Sequence, residues 1–438
     1  MNQIFLFFIF LLVIFVVYFK FHVISLIHTT YEFALLGFGT IPIFNSKLGN
    51  GLYKGEIDIP YNLKMKYKYL WIKRWIRDDW AYDLNREREL YYETLEYLKK
   101  NYELKNRVHQ IDIVSPDIDK DEFINKYVKN PKPVVIRGLM KDSYAVKNWT
   151  REYLSEKYGD SKVIVSKLGN SAGDLWWRQE KYKYAPQWET SFKEAINPKT
   201  NGYIPGNSSL FEDNPKLSDD LTDYKNKIKE FLPSSSICSH KEAFIGNKKH
   251  KKDEGVVFHC ANEFNLFIMI KGQKRWQFIN PEYSYLCGFM FHPHKLHNTA
   301  NITGHNNTWR DKDELYKYIP IYETILEEGD VLLNPPWWWH AINNLSDFTI
   351  GVPTRWNVKN NIKTNSFFDL FQLFSYTKHL LKKKFIENTI KNLEFKNVLY
   401  KDFLSATDNI KNLVQNHNYF HNIQYRYDDF DTRISNYK

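Results

Sequence analysis

Two histidines are the residues of this chain whose spacing could support chemistry at one site. His259 lies near the start of the segment FHCANEFNLFIMIKGQKRWQFINP (258–281), which predicts a strand, a turn at Lys271-Gly272-Gln273 and a second strand. His340 follows 81 residues later and is expected to close a strand in the segment GDVLLNPPWWWH. Two imidazoles contributed by distant strands could bind one metal ion, so these segments are candidate halves of a metal-binding β-barrel.

The residue two positions after His259 bears on the kind of metal site. Side chains alternate along a strand, so residue 261 is expected to face the same way as His259. An aspartate there would complete the two-histidine, one-carboxylate triad of non-haem Fe(II) oxygenases. The chain has Ala261 instead, and a methyl group cannot bind a metal.

Three explanations of Ala261 remain open from the sequence. The site could bind little or nothing, or two histidines could bind iron with water or halide in the vacant place. Alternatively, another side chain supplies the third ligand. Glu263 would need a bulge at Asn262, because four residues along a strand span about 13 Å. More distant candidates occur in the segment FHPHKLH, namely His292, His294 and His297.

A lysine and an asparagine are candidates for binding a small acid beside the histidines. Lys274 follows the turn at Gly272, and an inward-facing lysine is costly to bury without an anion. The carboxylate of a bound acid would satisfy it. Asn265 is expected on the same face as His259, where it could donate a further hydrogen bond.

An apolar run at the start of the chain predicts a membrane anchor. The residues IFLFFIFLLVIFVVYF occupy positions 4–19, and the apolar character continues past Lys20 to Ile27. Lys20 can extend toward the interface, so about 20 residues could span a bilayer. The first three residues carry no Lys or Arg and no small-residue cleavage site follows, which favours an anchor over a signal peptide. We predict a single-pass protein bound to membrane lipid through residues 4–27, in a compartment and orientation that the sequence leaves open.

Four regions follow from these patterns. We expect a transmembrane anchor at 1–27, a linker and juxtamembrane helical region at 28–110, a globular domain at 111–356 and a C-terminal helical extension at 357–438. Residues 64–77 (KMKYKYLWIKRWIR) either lie on an anionic membrane face or pack on the globular domain as an amphipathic helix. Apolar residues at 367–374 form a stripe that could pack against the globular domain or mediate a homodimer through the C-terminal helices.

The composition favours an aromatic-rich β domain. The 438 residues include 13 Trp and 30 Tyr, and strands follow one another quickly from residue 243, which predicts a barrel or sandwich. Earlier strands are predicted at 134–138 and 162–167, and residues 170–235 are expected to form loops and short helices. The net charge of +10 is spread along the chain, so we do not expect nucleic acid as a partner. Three cysteines without a CxxC pair argue against a disulfide framework and a structural zinc site.

Seven motifs in order give the segment from about Ile111 to Trp356 a family resemblance. They read PKPVVIRGL, NWTREYLSEKYGD, IGN, FH-x3-EFNLF, IKGQKRW, GDVLLNPPWWWH and FTIGV. The segment resembles the cupin-like, JmjC-type family of 2-oxoglutarate-dependent oxygenases. The resemblance implies a mainly β domain with flanking helices (α+β), built as a double-stranded β-helix of the cupin or jelly-roll type.

The resemblance also implies roles for individual residues. His259 and His340 would bind Fe(II), and Lys274 would pair with the carboxylate of the co-substrate 2-oxoglutarate. Asn265 matches a co-substrate contact in side-chain hydroxylases of this type, and Tyr203, in NGYIPG, matches another. The substrate is open, and a protein side chain is the candidate.

Two positions depart from the family pattern. Ala261 replaces the metal-binding aspartate, and Val256 stands where many members have a serine or threonine that contacts the co-substrate. Related halogenases also have an alanine at the first position. Two hypotheses follow: a membrane-anchored oxygenase of the hydroxylase type, or a catalytically inactive cupin-like module that binds or scaffolds at a membrane.

Overall fold

The computed structural model describes residues 56–77, 83–166, 187–200, 202–207, 209–248, 255–261, 263–287, 289–290, 297–300 and 314–358. The predicted anchor and nearly all of the predicted C-terminal extension lie outside these residues. Among the helices that are described, none is both long enough and apolar enough to cross a membrane.

Helices lie mainly before the strand-rich part of the chain. The first two are α1 (Tyr61–Arg77) and α2 (Leu84–Asn101). Next come α3 (Lys120–Phe123), which continues as a π-helical turn at Ile124–Val128, then α4 (Tyr144–Asn148) and α5 (Arg151–Tyr158). Four short ones follow: α6 (Phe192–Ala195), α7 (Ser209–Asp213), α8 (Pro215–Asp219) and α9 (Thr222–Lys229). Side-chain oxygens cap several starts; at α5, for example, Thr150 accepts from the backbone N–H of Tyr153.

Within the described residues, one sheet has seven strands. They are β1 (Val108–Gln110), β9 (Val256–Ala261), β11 (Lys274–Ile279), β12 (Phe289–Met290), β13 (His297–Ala300), β14 (Ile321–Leu326) and β16 (Trp339–Asn344). Their order across the sheet is β1-β14-β11-β16-β9-β13-β12. Strands β16 and β9 are therefore neighbours although 81 residues separate their histidines.

The second sheet has ten strands in the part of the chain that the structure describes. They are β2 (Asp112–Val114), β3 (Val134–Ile136), β4 (Lys162–Ser166), β5 (Gln187–Ser191), β6 (Tyr203–Asn207), β7 (Ile237–Lys241), β8 (Ala243–Gly246), β10 (Phe264–Lys271), β15 (Val331–Asn334) and β17 (Thr349–Asn357). The order is β2-β3-β15-β10-β17-β8-β6-β4-β5, and β7 also pairs with β17. The prediction of a mainly β domain with flanking helices is confirmed, and the two sheets are consistent with the cupin or jelly-roll type.

The two sheets pack face to face through an aromatic core. Phe267 of the ten-stranded sheet meets Trp276 of the seven-stranded sheet edge-on, with ring centroids 4.8 Å apart. Met269, Phe278 and Leu326 are buried in the same cluster. Such interdigitation of inner faces forms the core of a β-sandwich.

Helices α1 and α2 cover the outer face of the seven-stranded sheet. Trp71 of α1 and Leu90 of α2 share a buried cluster with Phe258, Cys260 and Trp339 of that sheet. Of the two interpretations of residues 64–77, packing on the globular domain is therefore confirmed. Cys260 is buried among these outer-face residues, as expected for the strand face opposite to His259.

Three details of the expected strand layout are wrong. The segment 258–281 holds three strands, because the chain leaves β9 at residues 262–263 and enters the other sheet as β10. Asn265 is therefore not on the strand of His259. His340 is the second residue of β16 and does not close a strand; the preceding strand, β15, ends before Pro335 and Pro336. Residues 187–191 and 203–207, expected to be loops and short helices, form β5 and β6.

Candidate functional site

His259 and His340 face each other across neighbouring strands. Their positions are directly paired in the antiparallel ladder of β9 and β16, and the ring centroids are 4.1 Å apart at an interplanar angle of 55°. His340 is buried and His259 is partly exposed. The structure thus brings together the two histidines predicted as metal ligands.

The hydrogen bonds of His340 determine which of its nitrogens can bind a metal. Its Nδ1 lies 2.9 Å from the carbonyl oxygen of Trp338. A carbonyl only accepts, so Nδ1 carries the proton and the lone pair resides on Nε2. The ring of Trp276 stacks on the imidazole, with ring centroids 5.5 Å apart and an interplanar angle of 23°. The backbone contact and the indole together fix the tautomer and the ring plane, as outer partners of metal-binding histidines do.

The two histidines have no third ligand among the described side chains. Among the residues whose side chains are described, which do not include those of β12 and β13, no three His, Cys, Asp or Glu residues are grouped so that they could hold a metal. Ala261 is the last residue of β9, and its carbonyl accepts from the Trp337 N–H at 2.7 Å. Glu263 lies in the passage to β10, so it does not take the place of the missing aspartate.

Lys274 is an amine buried without a carboxylate beside it. The side chain is 1% exposed, and its Nζ donates to Oδ1 of Asn344 at 2.6 Å across the β11–β16 pair. No ion pair with Asp or Glu forms within the described residues, and burial lowers the pKa of Lys274 to about 7. The ring of Tyr203 lies 5.6 Å from Nζ. A buried amine in this setting is expected to bind the carboxylate of a ligand.

Asn344 approaches Lys274 over a glycine. A Cβ built on Gly246 would lie only 2.2 Å from Nδ2 of Asn344. The glycine in the IGN motif therefore leaves room for the amide that holds the lysine. Burial raises the pKa of Tyr203, the other neighbour of Lys274, which keeps its phenol protonated at neutral pH.

Two asparagines from the ten-stranded sheet face the histidine pair. Asn265 of β10 and Asn334 of β15 are directly paired, and both are buried. The Oδ1 atom of each is buried without a hydrogen-bond partner in the described structure. Nδ2 of Asn334 lies 3.3 Å from the His340 ring. Buried amide oxygens without partners are costly, so this wall is suited to donors supplied by a ligand or by metal-bound water.

The donor set fits a transition-metal ion and a carboxylate co-substrate, with one metal ligand lacking. Imidazole nitrogens suit iron, copper, nickel and zinc. On β16, His340 and Asn344 are four residues apart, which corresponds to about 13 Å along a strand. The extended side chain of Lys274 and a short diacid could together bridge that interval.

Three polar or aromatic residues of the site were not predicted: Asn334, Asn344 and Trp276. Asparagine is depleted in strands, so an asparagine inside a buried strand could have indicated a polar role. Asn334 and Asn344 are the last residues of two strands that are buried throughout, which is the pattern that carries this signal. The contact of Trp276 with His340 arises from the pairing of β11 with β16, which the sequence pattern does not specify.

Sequence comparisons agree with this architecture. The family model described as the cupin-like domain matches residues 120–363. JmjC domain-containing protein D of Dictyostelium discoideum is 24% identical over 258 residues, which is 56% of each chain. tRNA wybutosine-synthesizing protein 5 of Mus musculus is 25% identical over 257 residues, covering 55% of this chain and 75% of the mouse protein.

A third relative has a different stated activity. Lysine-specific demethylase 8 of Xenopus tropicalis is 26% identical over 239 residues, covering 54% of this chain and 51% of that protein. The chain spans about half the length of this relative and of the Dictyostelium protein. Because the family model covers more than half of the 438 residues, the chain belongs to the cupin-like domain family and has JmjC-domain relatives.

Proposed function

We propose that this protein is an Fe(II)- and 2-oxoglutarate-dependent oxygenase of the hydroxylase type, held at a membrane. The proposal rests on the amine of Lys274, which is buried and has no carboxylate partner in the described structure. It belongs to the same sheet as the two facing histidines. In this arrangement His259 and His340 would hold the metal. Iron with 2-oxoglutarate, when bound, supplies oxygen activation for attack on a C–H bond.

The chain's own residues would orient the co-substrate. Lys274 would pair with the distal carboxylate of 2-oxoglutarate, and Asn344 would fix the position of the amine. Tyr203 would flank that carboxylate, and Asn265 and Asn334 would line the side nearer to His340. Trp276 would hold the plane of the His340 ring and keep water from that face.

Binding under anaerobic conditions tests this proposal. The purified 438-residue chain is titrated with Fe(II) against a coloured chelator and then with 2-oxoglutarate, and succinate is measured after oxygen is admitted. We expect His340→Ala to abolish Fe(II) binding. Lys274→Met should weaken 2-oxoglutarate binding at least about tenfold while Fe(II) binding persists. A folded wild-type chain that binds neither iron nor 2-oxoglutarate would refute the proposal.

Lys271 offers a matched control for the lysine variant. It lies at the end of β10, and its Nζ pairs with Glu328 at 3.0 Å on the surface. Lys271→Met removes the same charge three residues away, at a surface position rather than in the buried site. Its 2-oxoglutarate affinity should equal that of the wild type. An equal loss in both variants would indicate a general effect of charge rather than a carboxylate site.

A second candidate function is a cupin-like module that binds or scaffolds without catalysis. Ala261 favours it, and so does Val256, which packs on the inner aromatic cluster where related proteins place a hydroxyl. The two candidates differ in one measurement. A non-catalytic module produces no succinate above the buffer rate, even when Fe(II), 2-oxoglutarate and oxygen are all present.

The proposed membrane attachment uses residues 4–27 and gains support from helix α1. Four large side chains on the face of α1 turned away from the domain are exposed: Tyr61, Met65, Tyr69 and Ile72. Their spacing of four, four and three residues places them on one side of a helix. The helix has six Lys or Arg and no Asp or Glu. An apolar, basic helix surface suits the headgroup region of an anionic bilayer.

Vesicle flotation tests the attachment. The full chain and a chain lacking residues 1–27 are compared on vesicles with and without anionic lipid. Loss of flotation on deletion is expected, with residual binding confined to anionic vesicles. Equal recovery of both chains in the bottom fraction would contradict attachment.

The substrate is a separate matter: the relatives' names refer to tRNA in one case and lysine in another, and a protein side chain remains our candidate.

A further inference from the structure

The strand pairing around Ala261 includes a histidine that has no role in the metal site described above. Strand β9 lies between β16 and β13. On one side, His259 is paired with His340; on the other, it is paired with Thr299. Two residues further along β9, Ala261 is paired with His297 of β13. The position that lacks the aspartate thus has a histidine directly opposite it.

Sheet geometry relates these positions to one another. Residues i and i+2 of a strand belong to the same face, and directly paired residues of neighbouring strands belong to the same face as each other. The positions of His259, Ala261 and His297 therefore share one face of the sheet. Directly opposite positions in an antiparallel pair have Cβ atoms about 4.5–5.5 Å apart.

The other candidate with a described position is excluded by the topology. Glu263 lies beyond the end of β9, where the chain passes into the other sheet. It forms no metal-binding group with the two histidines among the described side chains. His292 and His294 precede β13 and lie outside the described residues. The register therefore singles out His297.

We propose that metal binding by this chain depends on His297, at the position opposite Ala261. This inference rests on the proposed Fe(II) site at His259 and His340. Three neutral imidazoles form a donor set found in metalloenzymes. They carry one negative charge less than two imidazoles with an aspartate. The metal centre would then attract anions more strongly than an ordinary two-histidine, one-aspartate site.

The test measures Fe(II) affinity under anaerobic conditions by competition with a chelator, using the full chain. His297→Ala should weaken Fe(II) binding at least about tenfold, the low end of what loss of metal-site partners causes. The double variant His297→Ala with Ala261→Asp should recover most of that loss, because the aspartate restores a ligand on the same face. Asn298→Ala is the matched control: it is adjacent on β13 but paired with Cys260, so affinity should be unchanged.

A second measurement does not depend on any variant folding. Pulsed EPR of the Cu(II)-loaded wild-type chain counts coordinated imidazoles, and we expect three. A count of two would overturn the role of His297. Unchanged Fe(II) affinity in His297→Ala, with affinity lost in His340→Ala, would overturn it as well and leave the proposed function standing. A wild-type chain that binds no metal would refute both.

Discussion

Replacing Lys274 with methionine is expected to stabilise the ligand-free protein at neutral pH. Lys274 is buried, and desolvation lowers its pKa from 10.5 to about 7. A difference of three to four pKa units corresponds to a penalty of about 5 kcal/mol. The wild-type protein carries this penalty when no anionic ligand is bound, so an apolar side chain of similar length removes it.

The pH dependence of this penalty has a definite sign. Between pH 7 and 10.5 the unfolded chain holds the Lys274 proton and the folded chain releases it. The unfolded state binds more protons in that window, so the free energy of unfolding rises with pH there. Below pH 7 both states are protonated and the full penalty applies. In Lys274→Met this contribution to the slope is absent.

The net gain is smaller than the penalty because one hydrogen bond is lost. Oδ1 of Asn344 accepts from Lys274, and leaving a buried acceptor without its donor costs about 1–3 kcal/mol. The expected stabilisation at pH 7 is therefore about 2–4 kcal/mol. Urea unfolding at pH 7 and pH 9 measures it, with Lys271→Met as the surface control. A Lys274→Met protein that is less stable than the wild type at pH 7, or that keeps its pH slope, would refute the reasoning.

Further predictions concern the ligand sites and the fold. The affinity for 2-oxoglutarate should fall as pH rises above about 7, by up to about tenfold per pH unit, because binding requires protonated Lys274. Calorimetry in buffers of different ionisation enthalpy should detect the proton taken up, and an affinity that does not change with pH would contradict the role of the lysine. In the His297→Ala background, Ala261→Asp should tighten Fe(II) binding at least about tenfold in chelator competition, and unchanged affinity there would mean that His259 and His340 do not form the expected metal site. Gly246→Ala should displace Asn344 and lower stability by about 1–3 kcal/mol in urea unfolding, since the added Cβ would meet Nδ2 at 2.2 Å; a neutral result would show that the amide can move.

Much of the site could be predicted from the sequence because its strands are short, apolar and bounded by turn residues. Val134–Ile136, the strand that begins at Lys162 and the turn at Gly272 all lie where the pattern places them. Gly272 adopts a φ of +74°, a conformation that glycine reaches without strain. The order of these elements along the chain could therefore be predicted from the sequence.

Which strands pair with one another could not be predicted in the same way. Every residue from Phe264 to Ile270 is buried, so the periodicity there does not reveal that the chain has changed sheets after Ala261. That change corrects the position of Asn265, which reaches the site from the opposite sheet. It also explains why the sequence left His297 as one of several candidate ligands: its position opposite Ala261 depends on a register that only long-range pairing sets.

The topology has a consequence for how the protein is made. Among the described strands, β1, β10 and β11 pair only with β14 to β17, which lie at residues 321–357. A ribosome that has released residue 300 has therefore exposed three strands whose partners do not yet exist. Such late, long-range closure is slow and leaves apolar edges open to aggregation. Chains that end before residue 321 should accordingly depend on chaperones, whatever their metal or co-substrate supply.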